Sequence, residues 1–596
     1  MPFSTASRIC FNALKFSPVY GKLNERNVTG RCLTNLGPMK SMLFILCMGC
    51  FGAVFFSCKT TQVSAQSGAA PMGQMPKLVV GITVDQMRYD YILRYWNDFG
   101  KNGFQRLIKD GFICHNLHYN YMPTYTGPGH ASIYTGTTPF FHGIIENDWY
   151  DRQSNAMIYC SSDSTAKGVG TASKAGQMSP HYLTASTLGD MIRMRTNKRG
   201  KVIGISMKDR GAILPAGRTA DAAYWFVGGE EGVWATSNWY MNELPQWVVD
   251  FNRTKKADSY LAQSWNLLRN AEVYDESIED NNAHETPFKG TTKPVFPYDL
   301  SALRSANGNY ELLKATPFGN SLTLDFAREV IAKEQLGTDA FTDMLCMSFS
   351  STDYIGHQFG VHAMETQDCY LRLDDELGLF LRYLDEIVGK ENYLVFLSAD
   401  HGGAPTPSYT AKEQAIGGYW KSDRLELFLE DTLSKLYGNG DWILNESNQN
   451  VFLNHTLIQS KRLNLKEMQY EVSQLCMYFP EVMSAYTASD LNQSRGGDAL
   501  KNMIQQGFDP QRSGDVVYVI DPGFIEYGMT GTTHGSPFTY DTHVPAIFYG
   551  FGVQPGETFA RQHITDIAPT VSMLSGISIP DAATGNPIEK AIRSKK

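Results

Sequence analysis

Apolar positions along this chain switch repeatedly between two spacings, and the switching predicts its architecture. Residues 78–84 are a continuous apolar run ended by Asp85, which suits a strand buried on both faces and therefore a central parallel strand. Residues 89–110 carry helical spacing with Gly111 as the stop, and 112–117 resume an extended pattern. Thr126 then meets Gly127-Pro128-Gly129, which reads as a tight turn with the threonine at or near an N-cap. A short helix over 131–134 follows, closed by Gly136. Further helices are expected over 185–196, 322–334, 364–388 and 564–574, and strands over 201–206, 344–350, 393–398 and 546–549. This alternation predicts an α/β fold: a doubly wound, mostly parallel central sheet with helices on both faces and ligands beyond the carboxyl ends of the strands. Two regions lose the rhythm, about 211–317 and about 404–530, and are expected to be insertions forming a cap or rim.

The amino-terminal pattern is different. Residues 1–65 read as a leader region, with an apolar h-region over 43–56 introduced by Met39-Lys40-Ser41-Met42 and an over-called start before it. Two exits follow, a loose lipoprotein-type site at Cys58 and ordinary cleavage near Val63-Ser64-Ala65, with the balance slightly toward a lipid anchor at Cys58. Either exit implies an exported, periplasmic protein whose only membrane contact would be that anchor. A small, polar linker over 66–76 leads to a catalytic domain over 77–592. The chain has 596 residues, is 42% hydrophobic and has a net charge of -9. That suits a large globular core and argues against nucleic acid as a partner. Beyond Cys58 there are five cysteines, an odd number with no metal-knuckle spacing. No feature indicates an oligomeric state.

Candidate chemistry gathers at the predicted strand ends: Asp85, then Asp353 and His357, then Asp400-His401, with His534 in Gly531-Thr532-Thr533-His534-Gly535. Asp353 and His357 stand four apart, on one side of a helical turn. Each signal is commonplace alone, but three Asp and three His at the strand ends of one sheet suffice for two sites of three ligands each. Mixed carboxylate and imidazole donors suit catalytic zinc better than magnesium or calcium. Two zinc ions against three carboxylates leave one positive charge, which a Thr126 alkoxide cancels. Lys208 and Arg210, two apart in a segment expected to be extended, would then match a phosphate monoester dianion, with Asn147 adding a neutral hydrogen bond. The plainer reading of that pair is a solvated loop.

With these residues in place the chain resembles the alkaline phosphatase superfamily, and within it the PafA-type, phosphate-irrepressible alkaline phosphatases. The motifs that carry the resemblance are Val84-Asp85-Gln86-Met87-Arg88, Thr124 to His130, Asn147-Asp148-Trp149, Lys208-Asp209-Arg210, Asp353 to His357, Ser398 to Gly402 and Thr533-His534-Gly535. The resemblance implies one zinc held by Asp353, His357 and His534, and a second held by Asp85, Asp400 and His401 with Thr126 as a further ligand. It implies Thr126 as nucleophile and Asn147, Lys208 and Arg210 as phosphoryl clamps, with two zinc ions and no magnesium. Small phosphate monoesters would be hydrolysed through a phosphothreonine. His115, His118, His130 and His142 are expected only to pack or hydrogen-bond. A nucleotide phosphodiesterase of the same superfamily is the alternative, disfavoured because a diester monoanion does not need two cations. A sulfatase is disfavoured because Thr126 cannot become formylglycine. A non-catalytic lipoprotein binding metal or glycan would not need every one of these positions.

Overall fold

In the computed structural model, residues 75–493 and 498–593 are described, all within a single compact unit. The leader, the h-region, the Cys58 anchor and nearly all of the linker lie outside the described residues. Among the described residues no helix is long and apolar enough to cross a membrane.

The apolar runs become the strands of one 11-stranded sheet. Its strands in chain order are β1 (Leu78–Val84), β2 (Phe112–His118), β3 (Gly168–Val169), β4 (Val202–Ser206), β5 (Ala222–Val227), β6 (Val233–Ser237), β7 (Asp343–Phe349) and β8 (Tyr393–Ser398). An inserted unit contributes β9 (Ile443–Ser447), β10 (Asn450–Leu453), β11 (Val482–Thr487) and β12 (Val516–Ile520). The chain then returns through β13 (His543–Gly550) and β14 (Gly556–Thr558). Across the large sheet the order is β14-β2-β13-β8-β1-β7-β4-β5-β6-β3, with Gln562–His563 pairing β2 beside that path. The centre, β8-β1-β7-β4-β5, is parallel. β13 and β6 run antiparallel to their neighbours, so the sheet is mixed around a parallel core. Helices cover both faces; the 24-residue helix Met364–Ile387 is the longest.

Register places the site. Val84 lies opposite Phe349, Thr83 opposite Ser398, and Ser348 opposite Ser206. The parallel strands therefore end level, and whatever follows them shares one rim. Because β13 is antiparallel, its amino end reaches the same rim, and the segment carrying His534 arrives with it.

Three expectations change. The helix expected over 89–110 is two short helices, Asp90–Arg94 and Phe104–Lys109. Asp374 accepts hydrogen bonds from the N–H groups of Gly100 and Phe104, which caps the second helix and turns the chain between them. Residues 211–237 are not insertion: the helix Asp209–Ala216 leads into β5, which pairs parallel with β4 and is buried throughout. Its Ala-Ala-Tyr-Trp-Phe-Val sequence is aromatic because it is a core strand. The helix expected over 131–134 is α1 (Thr126–Thr135), which runs through the Gly-Pro-Gly segment. Pro128 falls in the first turn, where its missing N–H would have had no helical partner anyway. Gly136 closes the helix at φ 69°, as expected.

Residues 422–520 build a separate antiparallel sheet in the order β9-β10-β12-β11, with its own apolar core around Leu425, Trp442, Val472 and Val516. The five cysteines past Cys58 are all buried and free.

Candidate active site

Thr126 opens α1 as its first helical residue, with extended Tyr125 in the capping position rather than Thr126 itself. All ten residues of α1 are buried. Its packing against the rim is tight: a Cβ on Gly129 would lie 2.2 Å from the Asp400 carbonyl oxygen. Only glycine lets the nucleophile helix approach the strand-end turn this closely.

The six expected ligands converge. One set, Asp353, His357 and His534, brings its donor atoms within 4.8 Å of one another. Nε2 of His357 and of His534 lie 3.2 and 3.7 Å from Asp353 Oδ1. The second tight set is Asp85, Asp353 and His401, with Asp353 where the sequence reading put Asp400. Asp353 thus stands between the two groups. Asp400 remains beside the second, its Oδ2 3.6 Å from His401 Nε2, while Asp85 Oδ1 lies 3.5 Å from the same nitrogen.

Tautomers are decided by backbone carbonyls, which can only accept. Nδ1 of His357 donates to Thr532 O, that of His401 to Gly402 O, and that of His534 to Thr124 O, at 2.7, 2.8 and 2.8 Å. Each ring therefore carries its Nδ1 proton away from the site and turns Nε2 toward the carboxylates, the orientation found in metal-ligating histidines. Asp85 Oδ1 and Asp400 Oδ2 are buried without a hydrogen-bond donor. Lone pairs facing lone pairs in a buried place require a cation, so the donor set fits a bound metal. His130 is different, because both its nitrogens are engaged: Nδ1 with Thr126 O and Nε2 with Ser348 Oγ, at 2.9 and 2.8 Å. Its Nδ1 also lies 3.1 Å from Asp400 Oδ2. It braces the nucleophile helix against Asp400, as a packing role implies.

The charges respond as burial dictates. Burial, then the neighbouring carboxylates Asp353 and Asp400, push the Asp85 carboxyl well above its usual range. At Asp353 burial is the largest influence, but His357 and Lys208 outweigh it and hold that carboxyl well below the usual range. His534 is driven well below the usual imidazole value by burial and by His401 and His357. Protein charges alone leave the cluster short of positive charge.

The phosphoryl-side residues are arranged differently from expectation. Lys208 is the extended residue before the helix Asp209–Ala216, and Arg210 lies inside that helix, so the two are not on one extended segment. Lys208 Nζ bonds Asp85 Oδ2 and Asp353 Oδ2 at 2.7 and 2.5 Å. Arg210 faces Thr126, with Nη2 3.5 Å from Thr126 Oγ1 and Nη1 donating to the Tyr159 hydroxyl at 3.1 Å. Asn147 Oδ1 accepts from Gly127 N at 2.7 Å, which orients the amide and leaves Nδ2 as its donor end. His401 Nε2 also stands 3.4 Å from Thr126 Oγ1.

Two further residues were missed. Gln86 adopts φ 60°, donates its N–H to Asp400 Oδ1 and its Nε2–H to Asp353 Oδ1, and so fixes two carboxylates. Tyr159 joins Arg210 to Asp209. Gln86 adjoins Asp85 in sequence, which was the available signal; nothing local marks Tyr159.

Residues 79–543 match the type I phosphodiesterase / nucleotide pyrophosphatase family. A "Calcium-transporting ATPase" of Myroides odoratus is 42% identical over 87% of this chain and 95% of its own length. Alkaline phosphatase PafA of Elizabethkingia meningoseptica is 39% identical over 89% of this chain and 97% of its own. The crystal structure of wild-type alkaline phosphatase PafA superposes with a TM-score of 0.84 at 39% identity, covering 87% of this chain and 99% of that one. A mutant structure of alkaline phosphatase PafA, 38% identical with a TM-score of 0.83, is substituted at a threonine, an asparagine, a lysine and an arginine, in that chain order.

Proposed function

The chain belongs to the type I phosphodiesterase / nucleotide pyrophosphatase family and is a phosphatase of the PafA alkaline phosphatase type, and from that footing we propose that it hydrolyses phosphate monoesters through a phosphothreonine on Thr126. The observation that carries the reading is the pair of unpartnered buried oxygens, Asp85 Oδ1 and Asp400 Oδ2, flanking His401 Nε2 within reach of Thr126 Oγ1. Substitution of PafA at a threonine, an asparagine, a lysine and an arginine in one mutant matches the residue types and order of Thr126, Asn147, Lys208 and Arg210.

Asp353, His357 and His534 would hold one divalent ion and Asp85, Asp400 and His401 the other, with Asp353 close to both. Ions there, zinc by the donor chemistry, supply a lowered hydroxyl pKa and compensation of charge on the departing oxygen. Thr126 Oγ attacks phosphorus in line, the P–O bond to the leaving alcohol breaks, and water later cleaves the phosphothreonine. Arg210 binds the phosphoryl oxygens from beside Thr126, and Asn147 Nδ2 donates to the same group. Lys208 is the counter-ion of Asp85 and Asp353; once other cations engage those carboxylates, its ammonium is left for the substrate. In a loose phosphoryl transition state these fixed positive groups matter more than any general base. Diester hydrolysis is the disfavoured alternative, since Lys208 and Arg210 would be over-supplied for a monoanion.

The test is a side-by-side rate measurement on a phosphate monoester, a diester and a sulfate ester, with metal content read on the same sample. Monoester turnover should exceed diester turnover by orders of magnitude, and equal rates would refute the assignment. Acid quenching during turnover should trap phosphate on Thr126; a trapped phosphate elsewhere would displace it as nucleophile.

A further inference from the structure

Two cavities border the site. The first, about 480 Å³, is lined by Lys208, Arg210 and Lys314 together with the carboxylates of Asp209, Glu230, Glu231 and Glu311, so its charge is mixed. The second, about 290 Å³, is walled by Tyr125 and His534 from loops at the rim of the large sheet and by Asn448, Gln449, Ile520, Phe524 and Glu526 from the inserted region. His534 belongs both to this wall and to the donor set with Asp353 and His357, so the second cavity adjoins that donor set.

The second cavity has an aromatic and acidic lining. Tyr125, Phe524 and Tyr540 supply rings, and Glu526 and Asp541 supply carboxylates; among the described residues the lining holds no lysine or arginine. Asp541 is buried, its Oδ2 takes three hydrogen bonds from Gly535 and Ser536, and burial pushes its carboxyl up to about 7, so the exposed Glu526 is the main negative charge of the lining. Tyr527, partly exposed, stacks on His357 with ring centroids 5.6 Å apart, beside the same donor set. Aromatic faces with nearby carboxylates attract an ammonium group and repel a second anion.

We propose that this pocket receives the leaving alcohol and favours one carrying an ammonium group, so that the preferred substrates are phosphate monoesters of amino alcohols rather than of carboxylated or multiply phosphorylated alcohols. The inference rests on the phosphomonoesterase reading given above. Charge at phosphorus is then read by Arg210 and Lys208, and charge on the alcohol by the opposite wall.

The experiment compares phosphocholine with its uncharged isostere, 3,3-dimethylbutyl phosphate, and with 3-phosphoglycerate, in the full chain loaded with zinc. The kcat/KM ratio of phosphocholine to the isostere is measured for the unsubstituted protein, Glu526→Gln and Glu526→Lys. Because the intrinsic reactivities of the two alcohols cancel between variants, the change in ratio reports the pocket alone. Glu526→Lys should lower it about five-fold or more, Glu526→Gln about two-fold, and 3-phosphoglycerate should gain with Glu526→Lys; a charge at this distance has that reach in a partly exposed site. Ratios that stay constant while all three esters turn over would overturn the pocket assignment and leave the phosphatase reading standing. If the unsubstituted protein turns over none of the esters, the phosphatase reading itself fails.

Discussion

Along the carboxyl rim of the parallel strands, Asp85, Asp353, Asp400, His401 and Lys208 are buried, and apart from Asp85 Oδ1 and Asp400 Oδ2 each carboxylate oxygen is held by a named neighbour. Across the site the inserted unit presents Asn448, Gln449 and Glu526, which are half-buried or exposed. The rim is anchored by strands whose ends are level in register, so a shift of one residue there moves several others. The insertion meets the site through a hairpin turn, held by Asn448 and Asn450 donating to the two oxygens of Glu146 at 2.8 and 2.9 Å. The lesson is one of division: the rim offers buried, fixed side chains and the insertion half-buried or exposed ones, so the proposed chemistry at phosphorus falls to the first and the proposed contact with the alcohol to the second.

The sharpest way to break that division is at Thr126. Thr126→Ala should lower turnover by about 10⁴-fold or more while metal content stays unchanged; activity within ten-fold of the unsubstituted protein would remove the nucleophile from the rim. Next comes Arg210→Ala, which should cost about 10²–10³-fold in kcat/KM for monoesters and much less for diesters. Equal losses on both would show that Arg210 does not read the second phosphoryl charge.

Lys208→Met separates the two roles of the lysine. In chelator-treated protein it leaves two buried carboxylates without their cation and should cost about 3 kcal/mol of stability, whereas with zinc bound the loss should be much smaller. Thermal unfolding with and without chelator checks this, and equal drops in both states would mean that Lys208 is not the stand-in charge. The smallest effect belongs to the insertion. Asn448→Ala removes one hydrogen bond to buried Glu146 and should cost about 1 kcal/mol, with monoester kcat falling only a few-fold. A loss as large as that of Arg210→Ala would erase the contrast between rim and insertion.

Much of the rim was legible because its signals are local. An apolar run followed by Asp85, or a run followed by Ser398-Ala399-Asp400-His401, places polar residues at a strand end without knowledge of the rest of the fold. The helix through Thr126 was misjudged because Gly-Pro-Gly has poor helix propensity, and only burial of all ten residues overrides it. β5 was misjudged because six buried residues with three aromatics resemble an exposed aromatic segment when the neighbouring strand is unseen. The acidic pocket was not legible at all, since its walls come from positions as distant as Tyr125 and Glu526.

By itself the sequence determined the α/β class, the chain order of the ligand residues and Thr126 as the candidate nucleophile, because period and strand-end placement are properties of short segments. Only the tertiary structure decided that Asp353 stands between both donor groups, that Lys208 pairs with Asp85 and Asp353 while Arg210 faces Thr126, and that His130 has no nitrogen left for a ligand. Those outcomes depend on distances between residues up to hundreds of positions apart, which are set by strand register and packing rather than by any local pattern.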